Sequence, residues 1–177
     1  MKTTLYATLA AIALSAAPAL ADHSGHDDHS GHSAHDDMTA EVSVGDLRLS
    51  GAYARATLPN APVAGGFLTI TNEGETDDRL LSASSDASTR VEIHEMSMED
   101  GVMKMRQLPD GLTIPAGGTV DLAPGGMHLM FMELMQTFDE GDSVEVTLMF
   151  EQAGVVTMTL PVGATNAKGA DHSGHKE

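Results

Sequence analysis

Apolar and polar residues alternate with period two through the middle of the chain, residues 41–163. Side chains of a β-strand point alternately to opposite faces, so this period is typical of strands with one buried face. Turn-forming clusters such as Pro-Ala-Gly-Gly at 115–118 and Glu-Gly-Asp at 140–142 separate the runs. The predicted strands are Val42–Leu49, Ala52–Ala56, Gly66–Asn72, Arg79–Ser84, Arg90–Met98, Val102–Leu108, Thr119–Ala123, His128–Leu134, Val144–Phe150 and Val155–Val162.

No helical period interrupts these runs, and the connections are too short for the crossover helices that join parallel strands. The many short strands therefore predict an all-β domain over residues 41–163, built as an antiparallel β-sandwich or barrel.

The chain on either side of this domain has a different composition. Residues 22–40 are almost wholly His, Asp, Ser, Gly and Ala, and residues 164–177 are again small and polar. Such segments bury too little apolar surface to fold, which predicts two disordered His-containing tails. Residues 1–21 combine Lys2, an apolar run and Ala19-Leu20-Ala21, the features of a signal peptide cleaved after Ala21. We therefore expect an exported, periplasmic protein.

Composition narrows the choice of partners and ligands. The 26 acidic and 9 basic residues give a formal net charge of −17, which repels nucleic acid and anionic lipid. No run after the signal peptide approaches the roughly 20 apolar residues of a spanning helix, so neither nucleic-acid binding nor membrane insertion is expected, and we expect a monomer. Cysteine is absent. This excludes a blue-copper centre and makes methionine the soft ligand of any metal site.

Histidine and methionine are concentrated in one part of the predicted domain. Only His94 and His128 of the nine histidines lie within it. Eight of the twelve methionines surround them: Met96, Met98, Met103, Met105, Met127, Met130, Met132 and Met135. This coincidence is the main functional signal of the sequence.

The hairpin signal Asp100-Gly101 gives these residues a predicted geometry. If the chain reverses there, Met96 faces Met105, and His94 becomes a diagonal neighbour of Met105 within roughly 8 Å by Cβ. His128 and Met130 share a face because side chains alternate along a strand. Two such pairs brought together would form a four-coordinate site of two nitrogens and two sulfurs.

Imidazole and thioether ligands without thiolate favour Cu(I) over zinc, calcium or magnesium. The competing interpretation is that the methionines fill an irregular core. Spacing alone leaves both open for the two His/Met pairs and favours packing for Met98, Met132, Met135, Met149 and Met158. No Ser/His/Asp or Cys/His pairing is available in the domain, so an enzyme is not expected.

The motif resembles that of the PCu(A)C family of periplasmic copper chaperones. The motif begins with His94-Glu95-Met96; ten residues separate His94 from Met105, and 22 separate Met105 from His128-Leu129-Met130. The resemblance extends to residues 102–106, 114–118 and 124–126 and covers the predicted domain.

That resemblance implies a cupredoxin-like β-sandwich holding one Cu(I) near solvent through His94, Met105, His128 and Met130. Met96, Met103 and Met127 lie near enough in sequence to be alternative sulfur ligands. It also implies delivery of copper to cytochrome c oxidase, with a copper-accepting oxidase subunit and a thioredoxin-like copper chaperone as partners.

The tails offer a second set of ligands, because imidazole interleaved with carboxylate suits Cu(II) or Zn(II). One hypothesis is that they gather Cu(II) for the core site; the alternative function is a periplasmic copper or zinc buffer, or resistance protein, acting mainly through them. The predicted tail ligands are His23, His26, His29, His32, His35, His172 and His175.

Overall fold

The computed structural model describes residues 41–169, which fold as eleven β-strands without a helix. The predicted signal peptide, the N-terminal tail and both C-terminal histidines lie outside the described residues. The strands are β1 Val42–Val44, β2 Leu47–Arg55, β3 Val63–Asn72, β4 Asp78–Ser84, β5 Ser88–Glu99, β6 Val102–Gln107, β7 Leu112–Ile114, β8 Thr119–Leu122, β9 Met127–Leu134, β10 Ser143–Phe150 and β11 Val155–Gly163. Over this described range, no helix has the length and apolarity needed to cross a membrane.

Eight of the strands close into a barrel. Hydrogen-bonded neighbours run in the order β5-β9-β8-β3-β2-β11-β10-β4, and β4 pairs back with β5. The remaining strands are attached to this ring: β1 to β2, β6 to β5 and β7 to β4. The predicted all-β architecture is confirmed.

Two pairings depart from the expected antiparallel arrangement. β11 runs parallel to β2, with Val162 opposite Ala54, and β8 meets β9 in parallel at Leu122 and Met127. The predicted antiparallel pairing holds for the other strand pairs and is wrong for these two contacts. It was argued from the short connections between consecutive strands, which do not restrict the pairing of β2 with β11, because these strands are far apart in sequence.

The barrel core is built from the inward residues of the period-two runs. In β10, Val144, Val146, Leu148 and Phe150 are all buried, and the outward residues between them are more exposed. Each such side chain contributes roughly 1.5–3 kcal/mol through burial. Met158 of the neighbouring strand is also buried, which confirms its predicted packing role.

One predicted strand is divided in two. The run Val42–Leu49 turns at Gly45 and Asp46 to form the β1–β2 hairpin. Gly45 has a φ of +54°, and a Cβ there would lie 3.1 Å from the Cβ of Ala153. The turn therefore needs glycine both for its left-handed backbone and for its close approach to Ala153.

Candidate metal centre

His94 and His128 lie side by side on the outer face of the barrel. They are direct partners in the antiparallel β5–β9 pair, and their ring centroids are 5.8 Å apart. Their strand neighbours Ile93 and Leu129 point into the core, so alternation turns both imidazoles outward. The two histidines are nevertheless only 9% and 6% exposed, which places two polar rings in a largely dry environment.

The orientation of His128 is fixed through its Nδ1 atom. In the neutral ring, Nδ1–H donates to the carbonyl oxygen of Gly126 at 3.0 Å. Burial lowers the pKa of His128, the Gly126 hydrogen bond opposes this, and the neighbouring His94 lowers the pKa further. A neutral imidazole with its hydrogen on Nδ1 carries a lone pair on Nε2. That nitrogen is the ligand atom His128 can offer.

His94 is oriented through its opposite nitrogen. Its Nε2 lies 2.7 Å from Oε2 of Glu92. The hydrogen bond from His94 lowers the pKa of Glu92, burial opposes that effect, and Arg90 lowers the pKa further. In the neutral ring, Nε2–H donates to this carboxylate, and the lone pair is then on Nδ1. Within residues 41–169, Nδ1 of His94 is buried and has no hydrogen-bond partner.

Both rings therefore keep one nitrogen as an acceptor and fix the other with a hydrogen bond. Histidines that bind metals almost always show this arrangement, because the outer partner selects the tautomer and holds the ring plane. A buried nitrogen without a partner is costly in a site that only packs, so the donor set fits a metal ion.

Candidate sulfur ligands lie on the same face, on either side of the two rings. Met130 follows His128 by two residues in β9 and stands opposite Glu92. In β6, Met105 stands opposite Met96, diagonal to His94. The hairpin register predicted from the sequence is confirmed. Asp100 and Gly101 both have positive φ, 52° and 78°, as a type I′ turn requires.

The remaining methionines occupy three different environments. Met96 and Met103 share the face of His94, so both stay near the site. Met127 stands opposite Glu95, on the other side of the strand, and packs against the core. Met98 is 64% exposed, and its predicted packing role is wrong because the hairpin extends past the end of β9 at that point. Met135 and Met149 are also exposed, so the predicted packing is wrong for them too.

Sequence reasoning missed three groups that shape the site. Glu92 could have been found, because it precedes His94 by two residues and therefore shares its face. The Gly126 carbonyl lies in the turn before β9 and carries no side-chain signal. Phe67 of β3 lies with its ring centroid 6.5 Å from that of His128, and only the pairing of β3 with β9 brings it there.

Phe67 belongs to a small apolar cluster that supports this side of the site. Its ring lies 4.9 Å from that of Tyr53, and the guanidinium of Arg55 lies 5.3 Å from the Phe67 centroid. Ala167 completes the cluster and accepts a 2.8 Å hydrogen bond from Arg55 Nε. The chain thus continues to pack beyond Gly163, where the sequence pattern predicted the start of a tail.

The closed β-barrel is similar to solved PCuAC domains. The chain is similar to the copper-bound PCuAC domain from PmoF2, with a TM-score of 0.60 and 27% identity, over 71% of this chain and 98% of that domain. It is also similar to CuI-DR1885 from Deinococcus radiodurans, with a TM-score of 0.56 and 25% identity, over 76% of this chain and 87% of that one.

Sequence comparison then identifies the family. Residues 47–162 match the sequence model of the LpqE-like lipoprotein family. The chain is 30% identical over 116 residues to Lxx21020 of Leifsonia xyli subsp. xyli, a protein named as a lipoprotein; this covers 66% of this chain and 69% of the relative. It is 28% identical over 85 residues to the uncharacterized protein RP573 of Rickettsia prowazekii, covering 48% and 47%. The chain belongs to the LpqE-like family, which is related to the PCuAC copper chaperones.

Proposed function

We propose that this protein is an exported copper chaperone that binds one Cu(I) through His94, Met105, His128 and Met130. The observation that carries the proposal is the pair of buried imidazoles, each with one nitrogen fixed and the other left as an acceptor. The similar domains support the choice of metal, since one is copper-bound and another holds Cu(I).

The ligand set selects a soft monovalent ion. Two neutral imidazoles and two neutral thioethers supply no negative charge to the metal, and thioethers bind hard divalent ions poorly. Glu92 lies just outside this set and contributes one carboxylate 2.7 Å from His94. Glu92 is itself paired with Arg90 at 2.8 Å, so its negative charge is not free to favour a divalent ion.

The position of Met105 at the edge of the sheet would also allow the ion to be released. The histidines are held in the barrel wall, whereas Met105 lies on strand β6 at the sheet edge and is 48% exposed. A thioether at an edge can leave the metal while the imidazoles remain in place, so an acceptor protein can add its own ligand first. This asymmetry favours a transfer protein over a storage site.

The proposed recipient is the copper centre of cytochrome c oxidase or one of its assembly factors, reached in the periplasm. This step rests on the resemblance to the PCu(A)C family and on the signal-peptide pattern of residues 1–21. The net charge of −17 would favour a recipient with a basic docking surface, because complementary charge accelerates encounter.

Anaerobic Cu(I) titration of the chain from residue 22 onward, against a competing chelator, tests the proposal together with X-ray absorption at the copper edge. We expect one tightly bound Cu(I) with mixed sulfur and nitrogen scattering. Met105→Leu should weaken binding and reduce the sulfur signal, whereas Met149→Leu, an exposed methionine on β10, should change neither. Absence of tight binding in the parent would mean that the core methionines serve only packing.

A further inference from the structure

The tip of the β5–β6 hairpin carries methionines that the four-ligand site does not use. β5 pairs with β9 only as far as Glu95. At the end of this pairing, the Met96 N–H donates a 3.1 Å hydrogen bond to the carbonyl oxygen of Gly126. Beyond it, Met98 stands directly opposite Met103 in a two-stranded ribbon. Their side chains are 64% and 46% exposed, so neither belongs to the core.

The two faces of this ribbon differ sharply in chemistry. One face is held by ion pairs of 2.7 Å between Lys104 and Glu99 and between Arg106 and Glu95. Between the hairpin turn and His94, the other face carries the thioethers of Met96, Met98, Met103 and Met105. An exposed apolar group rimmed by charges marks an interaction site more often than a packing site. Because the group consists of sulfur-bearing side chains, a soft metal ion is its natural ligand.

The register arranges these thioethers as two rungs. Directly opposed residues in an antiparallel pair have Cβ atoms about 4.5–5.5 Å apart, a spacing that flexible methionines can close around one ion. Successive rungs on one face are about 7 Å apart, since a strand rises roughly 3.4 Å per residue. The outer rung is Met98 with Met103, the inner rung is Met96 with Met105, and His94 with His128 follows.

We propose that Met98 and Met103 form a second, weaker Cu(I) site, at which the ion first binds before passing along Met96 and Met105 to the two histidines. The inference rests on the proposed function, since the ladder ends at the proposed Cu(I) centre. The outer rung is weaker because it offers thioethers without imidazole and lies in solvent. The outer site would increase the rate at which the histidine site is loaded, because an ion held one or two rungs away is at an effective concentration of about millimolar.

Silver(I), a soft monovalent probe that air does not oxidise, can test this on the chain from residue 22 onward. With ¹³C-labelled methionine methyl groups, the first equivalent of silver nitrate should shift the Met105 and Met130 signals. Further silver should shift Met98 and Met103. In the double variant Met98→Leu/Met103→Leu, the first phase should remain and the second should disappear. Leucine keeps an apolar surface at the hairpin tip, so a loss identifies sulfur as the required group.

The rate of uptake from a Cu(I)–chelator complex provides the second readout. The double leucine variant should load its high-affinity site more slowly than the parent but reach the same final affinity. The matched control is Met135→Leu/Met149→Leu, which removes two exposed methionines elsewhere on the surface and should load at the parent rate.

The outcomes separate this inference from the proposed function. Shifts confined to Met105 and Met130 at every silver concentration would overturn the second site and leave the chaperone proposal standing. Loss of the second site with an unchanged loading rate would overturn the transfer step. If the first equivalent moves no methyl signal of Met105 or Met130, the proposed Cu(I) centre itself fails.

Discussion

Glu92 is expected to control metal affinity although it is not one of the four proposed ligands. Its carboxylate accepts a 2.7 Å hydrogen bond from Nε2 of His94, and the two side chains are only 18% and 11% exposed. Hydrogen bonds to charged groups contribute about 1.5–3 kcal/mol, and loss of such an outer partner typically lowers metal affinity by about 10–100-fold. Glu92→Gln keeps a neutral acceptor, so we expect a loss near the lower end of that range. Glu92→Ala should approach the upper end.

The assay is competition for Cu(I) against a chelator, combined with ¹⁵N NMR of the apo protein. In the parent, His94 should carry its hydrogen on Nε2; in Glu92→Ala the tautomers should mix, because the acceptor that selects one of them is gone. Glu133→Gln is the matched control. Glu133 also bonds Arg90, at 3.3 Å, but makes no hydrogen bond to His94. Parent-like affinity and an unchanged His94 tautomer in Glu92→Ala would refute the assigned role.

Three further predictions address stability and the tail. Burial lowers the folded-state pKa of His128, so near and below the ordinary histidine pKa of about 6.5 the unfolded chain binds more protons than the folded one. The free energy of unfolding, measured in urea, should therefore fall as the pH is lowered from about 7. His128→Gln should show a smaller fall. A steeper loss in the variant would contradict this. Gly66→Ala would place a Cβ 2.7 Å from the buried Phe131 ring, and overpacking of this kind costs about 1–3 kcal/mol. Thermal unfolding can measure this cost against Gly169→Ala, where no atom lies within 4 Å of the added Cβ. Deletion of residues 22–40 should lower the Cu(II) stoichiometry measured by titration, and an unchanged stoichiometry would remove the tail from copper binding.

Local sequence determined the strands and one complete part of the site. Period-two alternation is a property of a single strand, so it located most of the barrel, although the three-residue strand Leu112–Ile114 was too short to show it. The hairpin register was equally local: Asp100-Gly101 fixes the turn, and the turn fixes which methionines stand opposite each other. The His/Met character of the site could be predicted for the same reason, since His94 and Met105 lie on the two strands of that hairpin.

Only the tertiary structure decided how the halves of the site meet. Alternation states which residues share a face, but not which strand lies alongside or which face is turned inward. The pairing of β5 with β9 sets His94 opposite His128, and the same pairing turns Met127 toward the core and leaves Met98 beyond the barrel wall. The parallel contact of β2 with β11 is likewise invisible in either strand alone. These features depend on contacts between distant segments, whose stability comes from closing one barrel core and not from any local pattern.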